Sequence, residues 1–539
     1  MRIKDNFNYF IYIFFLSFFL IGSNIFSDYS ITPDEPLHRI NGFISLKYII
    51  DLFSINLNNI ETLQNIPELY SDWRRTYGSL FDLPFAFIEF SYDISIQNIF
   101  LIKHYFLFLI YFISTIFFFL LIKKNLKNDK IALVGVLILI STPRIFSHSF
   151  YNSKDILFLS LIIIATYFCI ELLKKFSFKN LIFTCVFCAF ASNIRVIGIY
   201  LPILTFIFYI FLEDKFKTKK NLNFFLIYFS IFIFILYLIW PFLWQNPLEN
   251  FLLILKESAS YPNHWKFKTL YLGEYLNPEN IPWHYFFIWF LSTTPIIFLF
   301  IILSGLFLFI KKYLTYFLGI EFNKNLKLWK DKDQMVDLFI FLCFFIPIFF
   351  VITLNSTLYN GWRHLYFIYP FLIYLSLYGL VNLLNIISEK QVKTIYSIII
   401  LQILSNFFFI YNSHPVQNIY FNFISKPFIE GNLPVDYWGS GNKKTIDYLI
   451  SNRSNFSIST SSFTPLINLK YSDGKIPYSQ NINFYGTQKN KKNKSDFVFT
   501  NYYYNRDPKN EEKYKIPKNY KSYYKLIING ITVNEVFSK

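Results

Sequence analysis

Long apolar runs separated by short polar segments cover most of the chain. The runs are about 18–25 residues long, which is the length that an α-helix needs to cross a bilayer. They lack the alternation of a membrane-spanning strand, and in lipid only helices and closed barrels satisfy every backbone group. The pattern predicts a polytopic α-helical membrane protein. Its spans, about eleven in number, lie near residues 7–26, 98–122, 131–146, 155–173, 180–193, 195–212, 222–243, 284–310, 336–354, 365–387 and 394–411.

Lysine sets the predicted orientation of these spans. The lysine-rich loops are 123–130, 174–179, 213–221, 311–335 and 388–393, and they alternate with loops that hold few lysines. By the positive-inside rule these loops and the N-terminus are cytoplasmic. The external segments are then 27–97, 143–155, 244–283 and 412–539. The net charge of +17 therefore reflects topology and gives no indication of nucleic-acid binding.

Arginine and histidine are distributed differently from lysine. Every arginine except Arg2, and all seven histidines, lie in or near the segments predicted to be external. The arginine fork matches phosphate and carboxylate groups. This distribution favours a functional site on the external face. The alternative is that external loops simply hold the more varied residues.

The motif TPDE follows the first span and precedes a predicted helix over residues 34–50. Thr32 and Glu35 fit a capping box, so folding alone accounts for Glu35. Asp34 is less explained, although a helix N-terminus favours an acid. The apolar stripe predicts a helix in the membrane interface. This places Asp34 at the lipid–water boundary, with His38 on the same helix face.

Two further external segments combine charged with aromatic residues. YSDWRRTYGSLFDLP contains Arg74, Arg75 and Asp82 and suits a loop that faces a phosphate, or alternatively an aromatic belt with snorkelling arginines. PRIFSHSFYNSKD contains Arg144, His148, Lys154 and Asp155. So dense a polar cluster at membrane depth is usually functional, and a capped, snorkelling loop is the alternative.

The remaining candidates lie near the ends of later spans. In YNGWRHLYFIYP, Arg363 and His364 precede the tenth span and suit an anion. The loop 244–283 and its boundary contain His264, Glu274, Trp283 and His284. No fixed metal-ligand spacing is present. The chain also lacks the glycine-rich nucleotide motifs, which argues against a cytoplasmic nucleotide-dependent enzyme.

Taken together, these features resemble the GT-C glycosyltransferases, and within them glycosyltransferase family 39 and its relatives. Those include protein O-mannosyltransferases and the aminoarabinose transferases of lipid A. The resemblance rests on the first span, TPDE, PRIFSHSFYNSKD, IPWHYFFIWFLSTTP and GWRHLYFIYP. It covers about residues 1–411, which would form a GT-C-like transmembrane catalytic domain.

The resemblance implies an inverting transfer of a sugar from a polyprenyl-phosphate donor to a lipid, glycan or protein acceptor. The catalytic pair would be Asp34 and Glu35, with Asp34, the first acid, as the general base that takes the acceptor proton, and cations would hold the leaving phosphate. Binding of the donor phosphate or substrate would fall to Arg74, Arg75, Asp82, Arg144, His148, Lys154, Arg363 and His364. His38, His264, Glu274, Trp283 and His284 would line the acceptor pocket. Whether a divalent ion bridges the donor phosphate to Asp34 or His264 is left open.

One motif departs from the aminoarabinose transferases. They carry Glu-Lys-Pro in the first loop, with the lysine facing the donor phosphate. The corresponding place here is Asp82-Leu83-Pro84, which lacks the lysine. The resemblance therefore does not extend to an aminoarabinose donor or to lipid A as acceptor.

The C-terminal segment 412–539 is polar and lysine-rich. The alternating runs NFSIST, DFVFTNY and ITVNEVF predict strands, and NKKTIDYLI predicts a short helix. We expect a small external α/β domain without a catalytic motif of its own.

Two other classes of function compete with the enzyme. A transporter or flippase of a lipid-linked or anionic solute would show internal repeats and charges at mid-depth. The sequence has no such repeat, and its ionisable residues lie at the external rim. A structural membrane protein would leave the external arginines and histidines without a purpose.

Overall fold

The fold was analysed in a computed structural model of the chain. The structure describes residues 2–55, 63–212, 219–259, 268–321, 328–462, 466, 482–503 and 514–539. Over these residues it is mainly helical, with one larger sheet near the C-terminus. The predicted helical membrane fold is confirmed.

Each predicted span coincides with a helix or a helix pair. Over the described ranges, seven helices are long and apolar enough to cross a membrane. The helices that coincide with predicted spans are α1 (Arg2–Ile25), α4 (Ile96–Leu126), α5 (Asp129–Ser141), α6 (Pro143–Tyr151), α7 (Asp155–Lys174), α8 (Phe178–Ile194), α9 (Tyr200–Leu212), α10 (Lys219–Leu238), α12 (Tyr285–Thr293), α13 (Ile296–Glu321), α14 (Lys332–Thr353), α15 (Tyr369–Leu384) and α16 (Glu389–Ser413). The number of spans, about eleven, remains a prediction because several of these helices are short.

Other short elements lie outside the predicted spans. The additional helices are α2 (Glu35–Phe53), α3 (Asp82–Tyr92), α11 (Pro247–Ala259), α17 (Asn442–Asn452) and α18 (Lys489–Lys492). The strands are β1 (Thr269–Tyr271), β2 (Glu274–Leu276), β3 (Phe456–Thr460), β4 (Ile482–Tyr485), β5 (Phe497–Thr500), β6 (Lys521–Ile528) and β7 (Ile531–Ser538).

Two breaks in the helices follow from the local sequence. α5 and α6 are bent by 69°. Thr142, between them, is extended at ψ 109°, because a proline disfavours the helical conformation of the residue before it. Pro143 is the first residue of α6. At the second break α8 ends at Ile194, Arg195 is extended, and a 3-10 turn leads into α9. The polar interruption SNIR was the sequence signal for this second break.

Described residues of three lysine-rich loops, 123–130, 174–179 and 311–335, meet at one end of the helical bundle. Lys127 Nζ lies 2.6 Å from Asp333 Oδ2, and Lys124 Nζ lies 2.8 Å from Glu171 Oε2. The charged residues around Asp34 and Asp155 lie at the opposite helix ends. The alternation of all five loops, and which end of the bundle faces the cytoplasm, remain predictions.

The predicted C-terminal strands and helix form one mixed sheet with a helix packed on it. The strand order is β4-β3-β5-β7-β6, with β3 parallel to β4 and β5 and the other pairs antiparallel. Ile446 and Leu449 of α17 pack against Ile458 and Phe497 of the sheet. The polypeptide between α16 and α17 returns to the helical part, where the Asn422 amide donates to Ser292 O at 2.9 Å.

Two glycines bring α13 and α15 into close contact. A Cβ at Gly305 would lie 2.4 Å from Ser376 Cα, and one at Gly379 would lie 2.4 Å from Gly305 Cα. Small residues allow such backbone approach between membrane helices. Gly319, on the same helix α13, has nothing within 4 Å of its Cβ position.

We predict that Gly305→Ala destabilises the protein by about 1–3 kcal/mol, because overpacking forces the two helices apart. Gly319→Ala is the matched control and should be neutral or stabilising by up to about 1 kcal/mol, since alanine favours helix. Thermal unfolding of both variants in detergent checks this. Equal melting temperatures would contradict the close contact.

Candidate active site

A cavity of about 300 Å³ opens where several helix ends meet. Its walls come from the start of α2, the loop before α3, the start of α7, the break between α8 and α9, α11, and the polypeptide between α14 and α15. Tyr437, from the C-terminal region, completes the lining. The lining thus combines elements that are far apart in the sequence.

The Asp34 carboxylate faces this cavity with both oxygens held. Tyr437 OH donates to Oδ1 at 2.6 Å, and Arg363 Nη1 donates to Oδ2 at 3.2 Å. The Asp34 side chain is 16% exposed. Burial and the Asp34 charge raise the pKa of Tyr437, so its hydroxyl stays protonated and acts as the donor. Asp34 is therefore a fixed, accessible carboxylate.

Glu35 is adjacent to Asp34 but has a different environment. Its side chain is 3% exposed. One oxygen accepts from the Thr32 amide at 2.7 Å and from the Thr32 hydroxyl at 2.9 Å, and the other lies 2.7 Å from His104 Nε2. Glu35 does not line the cavity. It ties the start of α2 to α4.

The predicted capping box is only half formed. α2 begins at Glu35, close to the predicted residue 34, with Asp34 in the N-cap position and Pro36 in the first turn, so Thr32 is not the N-cap that a capping box requires. Glu35 returns to the Thr32 amide as predicted. The Asp34 side chain makes no capping hydrogen bond, since Tyr437 and Arg363 hold it instead.

Beneath Asp34, a buried acid holds two arginines in place. Arg195 Nη2 is ion-paired with Asp155 Oδ1, and Arg363 Nη1 lies 3.4 Å from Asp155 Oδ2. Asn152 also donates to Asp155 Oδ2 at 2.8 Å. Arg363 is stacked against Tyr359, Tyr437 and Trp438 at 4.9–5.3 Å from the ring centroids.

Lys154 adds a third cation to the cavity. Its ammonium donates to Gly78 O at 2.9 Å and lies 4.0 Å from Asp82 Oδ2. Burial lowers the pKa of Lys154 to about 8. Asp82 also accepts from Lys103 at 2.7 Å. Burial opposes ionisation of Asp82, but Lys103 and Lys154 outweigh it and lower the pKa of this carboxyl.

His38 and His364 face the same space. Burial, assisted by the charge of Lys154, lowers the pKa of His38 to about 4, so its ring is neutral near pH 7. His364 packs against Tyr359 with ring centroids 4.6 Å apart. Both rings have a buried Nδ1 that lacks a hydrogen-bond partner in the described part of the chain.

The buried network carries an excess of positive charge. Four cations, Lys103, Lys154, Arg195 and Arg363, face three acids, Asp34, Asp82 and Asp155. The Nε atoms of Arg195 and Arg363 are buried and have no hydrogen-bond partner among the described residues. Buried donors normally have a partner. An anionic ligand such as a phosphate in the cavity would balance the excess charge.

Other predicted residues lie outside this cavity and have partners elsewhere. Arg74 pairs with Asp72 at 2.7 Å, and Arg75 pairs with Glu257 at 3.2 Å. Arg144 Nε donates to Tyr420 O at 3.0 Å, over the rings of Trp289 and Phe421. None of these three arginines lines the cavity, although Glu257, the partner of Arg75, does.

The remaining candidates also lie away from the cavity. His148 Nδ1 lies 2.9 Å from Asn152 Nδ2. His284 Nδ1 lies 2.6 Å from Tyr271 OH. Glu274 is exposed on β2, and Trp283 is 66% exposed. His264 lies outside the described residues.

Arg195 and Tyr437 line the cavity but were not among the predicted site residues. Arg195 had a signal in the sequence, because it interrupts a long apolar run together with Asn193. Tyr437 had none, since it lies 403 residues from Asp34 along the chain. Asp155 was noted in its loop, and the structure shows that it joins two of the arginines.

No group of three His, Cys, Asp or Glu side chains in the described ranges is arranged to hold a metal ion. Asp34 has Tyr437 and Arg363 as neighbours, which satisfy a carboxylate without a metal. The bridging ion considered from the sequence is untested because it included His264.

Residues 83–240 match the family model described as dolichyl-phosphate-mannose-protein mannosyltransferase. The resemblance to the GT-C glycosyltransferases is confirmed. The matched stretch contains Lys154, Asp155 and Arg195 of the cavity, whereas Asp34, Arg363 and Tyr437 lie outside it.

Two crystal structures of ArnT from Cupriavidus metallidurans are similar to the chain over nearly its whole length. The apo structure is 10% identical, covers 100% of this chain and 98% of its own, and has a TM-score of 0.47. The structure bound to undecaprenyl phosphate is 9% identical, covers 97% of both chains and has a TM-score of 0.41. No curated protein sequence matches the chain.

We predict that Asp155→Asn destabilises the protein by about 3–5 kcal/mol, because it leaves the buried Arg363 and the partly buried Arg195 without their shared counter-charge. Asp333→Asn is the matched control. It removes one partner of the Lys127 pair, whose side chains are 71% and 50% exposed, so little change is expected. Thermal unfolding in detergent compares the two. Similar losses for both variants would contradict the buried network.

Proposed function

We propose that the protein is an integral-membrane glycosyltransferase that moves a sugar from a polyprenyl-phosphate donor to an acceptor hydroxyl on the external face of the membrane. The observation that carries the proposal is the placement of Asp34 beside Lys154, Arg195 and Arg363 in one cavity. The matched family model, whose description includes a dolichyl-phosphate sugar, supports the class of donor.

The cations suit the phosphate of the donor. Arg195 and Arg363 line the cavity with guanidinium groups that can bind phosphate oxygens, and Lys154 supplies a point charge. As the bond between the anomeric carbon and the phosphate oxygen breaks, negative charge grows on that oxygen. Fixed cations in a water-poor cavity stabilise this charge in the transition state.

The apolar part of the lining suits the lipid next to the phosphate. The same cavity that the charged residues line also has apolar lining residues, namely Ile197, Ile254, Val351 and Leu358. Val351 is on α14, whose outer surface is apolar: Phe349 and Phe350 are 50% and 47% exposed. A polyprenyl chain could therefore pass from the cavity into the bilayer.

Asp34 would act as the general base. Tyr437 and Arg363 orient its carboxylate, and each oxygen retains a lone pair for a further proton or hydrogen bond. The acceptor oxygen attacks the anomeric carbon, its proton passes to Asp34, and the polyprenyl phosphate leaves with the bonding electron pair. One displacement inverts the anomeric centre and needs no carboxylate nucleophile. Glu35 supports α2 and takes no part in the step.

A transporter or flippase is less compatible with the location of the charges. Asp34, Asp155, Arg195 and Arg363 all lie at or next to helix ends. A transport site is expected near the middle of the membrane, between broken helices. The cavity at the rim of the bundle favours chemistry on a lipid headgroup.

The decisive experiment compares wild type with Asp34→Asn in detergent, using a panel of polyprenyl-phosphate sugars and pooled acceptors. We expect Asp34→Asn to lower transfer by about 10²–10⁴-fold, the usual contribution of a general base. Donor binding and the melting temperature should change little. Asp51→Asn, an exposed residue on the same helix, is the matched control and should keep full activity.

The other outcomes of this experiment are informative. Near-normal turnover by Asp34→Asn would support the glycosyltransferase activity but contradict the role of Asp34 as general base. Saturable donor binding without turnover by wild type on any donor would contradict the transferase and favour a transporter.

We also predict that donor binding weakens as the pH rises through about 8. The pKa of Lys154 is lowered to about 8, so its ammonium is charged below this pH and neutral above it. The charged form binds the donor phosphate. Polyprenyl-phosphate affinity measured between pH 6.5 and 9.5 checks this. Lys154→Arg keeps its charge throughout and should remove the inflection, and an unchanged inflection in that variant would contradict the assignment.

A further inference from the structure

A second cavity, of about 200 Å³, lies where the C-terminal sheet meets the β1–β2 hairpin. Its walls come from the β1–β2 hairpin, the segment 430–435, the residues after β5, and the strands β6 and β7. Nothing in the proposed transfer step uses this cavity. Its lining differs from that of the Asp34 cavity, because it carries few charges and several tyrosines.

The lining has the chemistry of a saccharide site. Tyr275, Tyr502 and Tyr503 supply aromatic surface, which packs well against the apolar C–H face of a sugar ring. Glu430 and Lys525 supply a carboxylate and an ammonium that can bind ring hydroxyls. The volume is below the roughly 300–1,000 Å³ of a pocket for a drug-sized ligand. It suits a single sugar ring.

Hydrogen bonds hold these walls in place without a ligand. The Thr532 amide donates to Glu430 Oε1 at 3.0 Å, which joins β7 to the segment 430–435. The Gly273 amide, in the hairpin turn, donates to Asn432 O at 3.2 Å. A preformed site of this kind loses little entropy when it binds.

The backbone at the cavity is strained at one aromatic residue. Tyr502 has φ 59°, in the left-handed region that bulky residues rarely adopt. The Tyr502 amide donates to Thr500 Oγ1 at 3.0 Å, and the Tyr502 hydroxyl is bonded to Glu535. Strain of this kind is concentrated at ligand sites.

Only a pair of tyrosines separates this cavity from Asp34. Tyr503 lines the second cavity, Tyr437 lines the first, and their ring centroids are 5.8 Å apart. Tyr503 OH is also bonded to Asn360, the neighbour of Tyr359 in the first cavity. A sugar in the second cavity would therefore be separated from the Asp34 carboxylate by the rings of Tyr503 and Tyr437, and another part of the same acceptor would have to reach Asp34.

We propose that this cavity binds a saccharide unit of the acceptor, so that the acceptor is a glycan or a glycolipid. The inference rests on the proposed glycosyltransferase function. A peptide acceptor fits less well, since peptides are usually bound along a sheet edge or an extended groove, whereas this cavity is compact and bounded by the hairpin.

The test uses the full-length protein in detergent and the methyl glycosides of common hexoses, N-acetylhexosamines and uronic acids as probes. Saturation-transfer NMR measures their binding. We expect wild type to bind one group of glycosides, and Tyr275→Ala and Glu430→Gln to weaken that binding by about tenfold, roughly the loss of one good contact. Glu430→Gln keeps the side-chain shape and the Thr532 hydrogen bond, so it should fold normally.

Tyr523→Ala is the matched control. Tyr523 is a tyrosine on β6 that is 41% exposed and lies outside the cavity lining, so glycoside binding should be unchanged. Polyprenyl-phosphate binding, measured in parallel, separates the two proposals. If wild type binds polyprenyl phosphate but no glycoside, the acceptor site alone is overturned. If wild type binds neither ligand, the proposed glycosyltransferase function is overturned as well. Saturable binding of a serine- or threonine-containing peptide, sensitive to Tyr275→Ala, would also overturn the saccharide site.

Discussion

The structure around the cavity depends on the buried ion pairs that Asp155 makes with Arg195 and Arg363. Two arginines in a largely buried site are costly unless they are paired. Asp155, in the first turn of α7, balances the positive charge of both arginines. The apolar stretch of this helix is 83% buried. The pairs therefore fix the break between α8 and α9 and the turn before α15 relative to one central helix.

Asp34 is positioned by the same network. Arg363 contacts Asp155 and Asp34 together, so the arginine that α7 holds in turn orients the carboxylate at the start of α2. Tyr437 adds the second contact from beyond the last membrane helix. The candidate base is thus held by residues from widely separated parts of the chain. Such preorganisation reduces the cost of reorganisation when charge moves during a reaction.

The sequence predicted the helical fold and much of the cavity, but not how its parts meet. Asp34, His38, Lys154, Arg363 and His364 lie in short motifs, and all five line the cavity. The arginines at 74, 75 and 144 have equally suggestive motifs, yet Arg74 pairs with Asp72 in its own motif, and Arg75 and Arg144 have partners in distant segments. Composition and spacing show where polar residues enter a membrane protein. Which way each side chain turns depends on long-range packing.

The two adjacent carboxylates of TPDE also differ in where their side chains lie, although they are neighbours in the sequence. Glu35 is buried, contacts Thr32 and His104, and fixes the start of α2. Asp34, one residue earlier, ends outside the helix with its carboxylate in the cavity. Neighbouring acids can serve different purposes when their environments differ. Because Glu35 supplies the return hydrogen bond to Thr32, the start of the helix does not require the Asp34 side chain, which is available for chemistry.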